Sequence, residues 1–224
     1  MYGTANSVHT LIWSVRRWLG QSPMQKVMAE LERRRSPLGE IDGLEVFGGD
    51  GTRHTIDYAA RLRSLEVWEV DPDRQAELHK NLPNALILNV DSYVEVNKTK
   101  RTYDLVVLDN AVSLFGPDLC FCEHFEIFTP ILAILRSPGV IILNVLPEVK
   151  DDPDHKFHSR VTQLARRRHF YGEVNSSCIE LKRMIESYRE KLWSQGWELE
   201  WEFSRQRTVR SKVHYLIMKV TRTA

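Results

Sequence analysis

A doubly wound α/β sheet of about seven strands, mostly parallel and ending in an antiparallel C-terminal hairpin, is the fold this sequence predicts. Three observations predict it. From residue 41 onward, apolar runs of strand length recur with helix-like stretches between them, the alternation that builds βαβ units. Most of the runs are apolar nearly throughout instead of at every second residue, as strands buried on both faces are. Two further runs near the C-terminus are joined by a polar link too short for a crossover, so they can pair only antiparallel.

Residues 1–38 read as a helical extension and residues 39–224 as the main domain. In the extension, Val8, Leu11, Ile12, Val15, Trp18 and Leu19 recur at helical spacing over residues 8–19, and Met24, Val27, Met28 and Leu31 repeat the pattern. The stretch from Gly20 to Pro23 separates the two helices, and Pro37 closes the second. Packing against the main body is the expected role, with a homodimer contact, a substrate lid or a membrane-surface helix as alternatives. Strands follow at residues 44–47, 65–70, 85–90, 104–109 and 139–145, and helices at about 53–63, 72–81, 92–98 and 122–136. After a polar stretch at 150–160 comes a helix near 177–194, with Ile179, Met184, Ile185, Tyr188 and Leu192 among its apolar positions. Residues 197–203 alternate strictly and read as a half-buried strand; the polar turn 204–212 leads to a last strand at 213–220.

Composition narrows the functional classes. Apolar residues make up 42% and charged residues 27% of the 224, ordinary for a globular chain. The net charge of +1 argues against nucleic acid or an anionic membrane as the main partner. The charge is uneven: 15 basic against 20 acidic side chains in residues 1–149, and 16 against 10 in residues 150–224. Cys120, Cys122 and Cys178 are the three cysteines, too few for a disulfide framework and suited to a reducing, cytoplasmic setting. No apolar run reaches the roughly 20 residues of a membrane span, and no signal-peptide pattern opens the chain.

In an open parallel sheet, ligands bind beyond the carboxyl ends of the strands, so the residues just past each strand matter most. After the first strand come Gly48, Gly49, Asp50 and Gly51; glycines permit a tight turn and a close backbone approach. Asp50 in that loop repels a pyrophosphate and attracts an ammonium. After the second strand comes Glu69, 21 residues beyond Gly48, where an acid can accept from both ribose hydroxyls. Asp71 reads as a helix cap with Pro72 at the first helical position. After the third strand come Asp91 and Ser92; Asp91 can accept from an adenine amine or cap the next helix. After the fourth come Asp109 and Asn110; Asp109 can accept a proton or hold an amine. Four acids on four successive strand ends fit a ribose, an adenine and a cationic amino-acid tail. That description matches S-adenosylmethionine better than NAD, since nothing is reserved for a pyrophosphate.

With these positions in hand, residues 41–220 resemble the class I S-adenosylmethionine-dependent methyltransferases, whose fold is Rossmann-like. Residues 45–51 (Glu-Val-Phe-Gly-Gly-Asp-Gly) are similar to that family's first motif, with Phe47 in place of its first glycine. Residues 67–73 resemble the second motif, 89–93 the adenine motif and 103–110 the fourth. The resemblance implies that Glu45 supports the loop, Gly49 to Gly51 and Asp50 meet the methionine portion, Glu69 the ribose and Asp91 the adenine amine. The spermidine synthase-like branch looks nearest: residues 48–52 resemble its glycine loop, 69–71 its E-x-D motif, and 109–117 with 123–128 its loop through Gly-Pro into an aromatic helix. Val112 stands where that branch holds a second catalytic aspartate, and its N-terminal β-hairpin domain is replaced by helices.

The remaining candidates are weaker. Cys120, Cys122 and His124 form C-x-C-x-H, which matches no structural zinc spacing, so no metal is expected. That loop borders the substrate side, making Glu123 and His124 candidates for a general base. Asn144 ends the fifth strand facing the cleft. The run 166–172, with three arginines and two aromatics, is read as a solvated helix end, nucleic-acid contact being the alternative. The expected activity is methyl transfer from S-adenosylmethionine to a small-molecule acceptor, with Asp109 orienting the acceptor and His124 as the weaker base. Aminopropyl transfer and a catalytically silent assembly module are the alternatives.

Overall fold

A computed structural model describes residues 17–34, 36–52, 54–109, 114–149, 159–207 and 212–223. The chain order is α1 (Pro23–Arg33), β1 (Asp42–Glu45), β2 (Ser64–Glu69), α2 (Gln75–Asn81), β3 (Leu86–Asn89), α3 (Ser92–Glu95), β4 (Tyr103–Leu108), β5 (Leu114–Phe115), β6 (Phe121–Cys122), α4 (Phe125–Ile134), β7 (Leu135–Val145), α5 (Ser159–Tyr171), α6 (Leu181–Ser194), β8 (Trp197–Gln206) and β9 (His214–Arg222).

Seven strands form one sheet in the order β3-β2-β1-β4-β7-β9-β8. The first five pair in parallel, while β9 is antiparallel to both β7 and β8. Two reversals cancel, so β8 runs in the same sense as β7. Its carboxyl end, at Gln206, therefore emerges at the same edge as those of β1, β2 and β4. The expected architecture is present, including the reversal of sheet order between β1 and β4 that opens a crevice at this edge.

Alternation along the buried strands divides the core into two layers. Leu105 and Val107 of β4 face a cluster with Val67, Val140, Ile142 and Ile217, covered by Met24, Val27, Met28 and Leu31 of α1 and Leu78 of α2. Val106 and Leu108 face the opposite cluster, covered by Ile127, Phe128 and Ile131 of α4, Phe170 and Tyr171 of α5, and Met184, Tyr188 and Leu192 of α6. The apolar face of α1 is thus spent on the chain's own sheet. Its start is fixed by a capping box: Ser22 Oγ accepts from the Gln25 backbone, Gln25 accepts from the Ser22 backbone, and Pro23 opens the helix.

Several elements differ from expectation. The helix expected at 53–63 is two 3₁₀ turns, Thr55–Asp57 and Ala59–Arg61. Thr55 and Tyr58 donate to Glu45, and buried Asp57 accepts from Ser22 Oγ at 2.7 Å and from Arg17. α5 begins at the end of the polar stretch 150–160 and fills residues for which the sequence predicts no element beyond a helix end at 166–172. Of its three arginines Arg168 is exposed and Arg166 partly so, as a solvated helix end would be, but Arg167 is fully buried and paired with Glu123. The small β5–β6 ladder, Leu114 opposite Cys122 and Phe115 opposite Phe121, carries no alternation to announce it. The proposed helix at 8–19 lies largely outside the described residues, as do Asn110 and Val112. Among the described residues, no helix is long and apolar enough to cross a membrane.

Candidate functional site

A cavity of about 640 Å³ opens at the carboxyl ends of β1, β2 and β4, lined by Glu45, Phe47 to Gly51, His54, Thr55, Glu69, Asp71, Arg74, Asp109, Phe115 and Arg207. A second cavity, about 600 Å³, lies among Phe125, Arg166, Phe170 and Lys191 on the helical side. It holds none of the strand-end acids, so the chemistry belongs to the first.

The glycine loop is cut to fit between β2 and the cavity. Gly48 donates its N–H to Trp68 O at 2.9 Å, and a Cβ there would lie 2.5 Å from Val67 Cγ1. Gly49 and Gly51 take φ of +57° and +73°, the left-handed region that glycine enters without strain. A Cβ on Gly49 would meet only Arg74 Nη1, at 3.7 Å, so its open side is the cavity side. Asp50 Oδ1 accepts from Thr52 N at 2.9 Å and Thr52 Oγ1 at 2.7 Å, which closes the turn. Asn81 Nδ2 donates to Asp50 O at 2.8 Å, tying α2 to the loop.

Glu69 ends β2 as a brace for this loop. Its Oε2 accepts from Gly49 N at 2.6 Å and its Oε1 from Asp71 N at 2.9 Å. A carboxylate oxygen can accept twice, so each retains capacity toward the cavity. Arg74 stands beside it, held by Asp71 at 3.2 Å.

Glu45 ends β1 and is fully buried. Its Oε2 accepts from Tyr58 Oη and from Thr55 Oγ1, while its Oε1 meets no hydrogen-bond partner among the described residues. Burial, reinforced by the nearby charge of Asp109, pushes its carboxyl up to about 8, so Glu45 is neutral below that pH. With both donors directed at Oε2, the proton belongs on Oε1. A buried polar atom without a partner costs roughly 1–3 kcal/mol, and this one sits on a carboxyl that lines the cavity.

Asp109 ends β4 and is held from three sides. Asn144 Nδ2 donates to Oδ1 at 2.5 Å, Tyr215 Oη donates to Oδ2 at 3.3 Å, and Arg207 Nη2 lies 3.0 Å from Oδ1. His54 Nε2 lies 3.4 Å from Oδ2 and accepts from Arg207 Nε at 2.9 Å, while its ring meets Tyr215 edge-on at 5.5 Å. Arg207 reaches this place because β8 emerges at the shared edge, and its N–H to Val213 O closes the strand pair at 2.9 Å.

The other expected site residues stand elsewhere. Asp91 is exposed and accepts from Tyr93 N at 2.9 Å as the cap of α3, and Ser92 donates to Val46 O at 2.5 Å; neither lines the cavity. His124, considered as a base, is fully buried behind the sheet's edge. Its Nε2 accepts from Asn144 N at 3.2 Å, and burial lowers it to about 4, so it stays neutral and supports Asn144 instead of meeting a ligand. Glu123 is spent on Arg167 and Tyr171. Asn144 acts through Asp109. His54, Arg74, Arg207 and Tyr215 were not anticipated; His54 follows the glycine loop directly, which was the available signal.

No family model matches the chain, and no curated protein matches it in sequence. Among solved structures, 1,6-didemethyltoxoflavin-N1-methyltransferase from Burkholderia thailandensis, with S-adenosylhomocysteine bound, is 14% identical, with a TM-score of 0.53 over 98% of this chain and 87% of that one. The N-methyltransferase NodS from Bradyrhizobium japonicum is 13% identical, at 0.52 over 90% and 98%. TYW2 from M. jannaschii, in complex with AdoMet, is 16% identical, at 0.50 over 85% and 74%. The similarity is one of fold: a mostly parallel seven-stranded sheet with one reversed strand.

Proposed function

We propose that this chain binds S-adenosylmethionine at the strand ends and transfers its methyl group to a small-molecule acceptor. The observation that carries the reading is one cavity shared by a positive-φ glycine loop, Glu69 at the end of β2 and the buried carboxyl of Glu45. Bound S-adenosylmethionine supplies an electrophilic methyl on a sulfonium. Neighbours of the same fold that hold S-adenosylhomocysteine or AdoMet support the choice of ligand.

The residues divide the work. Glu69 holds the loop with one lone pair on each oxygen and offers the others to the ribose hydroxyls. Gly48 to Gly51 keep the floor free of side chains, so the backbone can approach the ligand. Asp50 lines the side of the cavity where an ammonium would be received, beside the neutral Glu45. Phe47 and Phe115, with ring centres 6.3 Å apart, supply apolar wall. Asp109, braced by Asn144, Tyr215 and Arg207, orients the acceptor. Methyl transfer is a single in-line displacement, so alignment is the main requirement, and a base is needed only for a protonated acceptor. Three free thiols support a reducing compartment.

Titration calorimetry with S-adenosylhomocysteine tests the reading. Binding to the wild type is expected, and Glu69→Ala should weaken it by roughly 1–3 kcal/mol. No heat with the wild type, or an unchanged dissociation constant for the variant, would count against it.

A further inference from the structure

The cavity ends in a cation that no strand-end reading anticipates. The guanidinium of Arg207 is docked by only part of its donor set. Nε donates to His54 Nε2 at 2.9 Å, and Nη2 is shared between His54 Nε2 at 2.6 Å and Asp109, 3.0 Å from Oδ1. Arginine carries five N–H donors in a rigid fork. Tyr215 lies under the guanidinium, its ring centre 5.9 Å from Cζ, and the side chain, 21% exposed, lines the cavity. His54 is only three residues past Gly51, so the open edge of the guanidinium stands at the far end of the glycine loop. Asp109, already paired with Arg207, is not an uncompensated anion there.

An amino-acid tail carries two opposite charges and needs two opposite partners. The loop side of the cavity offers the carboxylate of Asp50 to an ammonium, with the neutral Glu45 behind it. The hairpin side offers a cation, Arg207, whose Nη1 edge can turn to a carboxylate. We infer that Arg207 receives the α-carboxylate of S-adenosylmethionine and is the residue that selects it over its decarboxylated form. The inference rests on the methyl-transfer reading above and deepens it: aminopropyl transfer needs the decarboxylated cofactor, which would leave the Nη1 edge unmatched. Arg207 acts here as a specificity residue and takes no part in the displacement itself. Its docking on His54 and Asp109 fixes the fork in advance, so little side-chain freedom is lost on binding.

Calorimetric titration with S-adenosylmethionine, decarboxylated S-adenosylmethionine and 5′-methylthioadenosine tests this without any acceptor. The wild type should prefer the carboxylated over the decarboxylated ligand by about ten- to a hundredfold, the range of a charge-assisted hydrogen-bond pair. Arg207→Gln should erase that preference and leave the affinity for 5′-methylthioadenosine, which has neither charge of the tail, unchanged. Arg207→Lys should keep part of the preference, since it keeps the charge and loses the fork. Equal affinity of the wild type for the two charged ligands overturns the assignment, as does a preference that survives in Arg207→Gln. If 5′-methylthioadenosine binds but tail selectivity is absent, Arg207 alone is wrong. If none of the three binds, the methyl-transfer reading falls and this inference with it.

Discussion

Replacing Glu45 with glutamine should change how stability depends on pH more than it changes stability itself. The folded-state carboxyl titrates at about 8, against 4.5 for a free glutamate, because burial and the charge of Asp109 both oppose ionisation. The folded state therefore keeps a proton that the unfolded chain has released. The resulting stabilisation is fully present below about pH 4.5, is lost as pH rises through about 8, and is constant above. A gap of about 3.5 on the pH scale, at 1.36 kcal/mol per unit, gives on the order of 5 kcal/mol across that window. Glutamine copies the neutral acid: its oxygen can accept from Tyr58 and Thr55, and its amide can stand where the Oε1 proton stood. Urea unfolding at a series of pH values from 4.5 to 9, extrapolated to water, measures the difference between Glu45→Gln and wild type; ionisations common to both cancel. The variant should gain on the wild type steadily up to about pH 8 and then hold its lead. A difference that stays constant across the series would refute the buried, neutral carboxyl.

Further outcomes follow from the same geometry. Asp109→Asn removes the second cause of the Glu45 shift, so the fall in stability between pH 4.5 and 8 should become shallower, read from the same unfolding series. Gly48→Ala drives a Cβ against Val67 Cγ1 and should cost about 1–3 kcal/mol; adding Val67→Ala should recover part of that in chemical denaturation. Glu123→Gln breaks a fully buried ion pair with Arg167 and should cost roughly 3–5 kcal/mol in urea unfolding, whereas replacing both partners with apolar residues should cost much less.

The inner parallel strands were legible because burial on both faces makes each a largely apolar run, as in residues 104–109, whereas β3, at the sheet edge, has no buried residue despite its apolar run. The strand-end acids Glu69 and Asp109 were legible from position alone, since the sheet edge is where a charge after such a run must surface. α5 was not, because its buried side is partly polar: Gln163 and Arg167 stand beside Phe170 and Tyr171. An arginine that disappears into the core through Glu123, 44 residues away, reads in sequence as a surface charge. The same non-locality hid Arg207, whose partners His54 and Asp109 lie 153 and 98 residues earlier. His124 failed in the opposite way: a histidine beside the expected cleft faces inward, and only the Asn144 backbone shows why. Asp91 could have been ligand or cap on sequence grounds, and the hydrogen bond to Tyr93 N accounts for it as a cap.

The position of β9 between β7 and β8 sets a rule for how this chain can be made. Synthesis delivers β8 before the only strand it pairs with in the sheet. Until β9 emerges, β7 keeps an open edge and β8 has no neighbour, and unpaired edges invite pairing with other chains. Glu198, Glu200 and Glu202 along β8 put like charges on the waiting strand and oppose its pairing with a second copy of itself. A chain cut before His214 would therefore not carry a sheet one strand smaller. It would lose the lock on β8, and with it the fixed place of Arg207 beside His54 and Asp109.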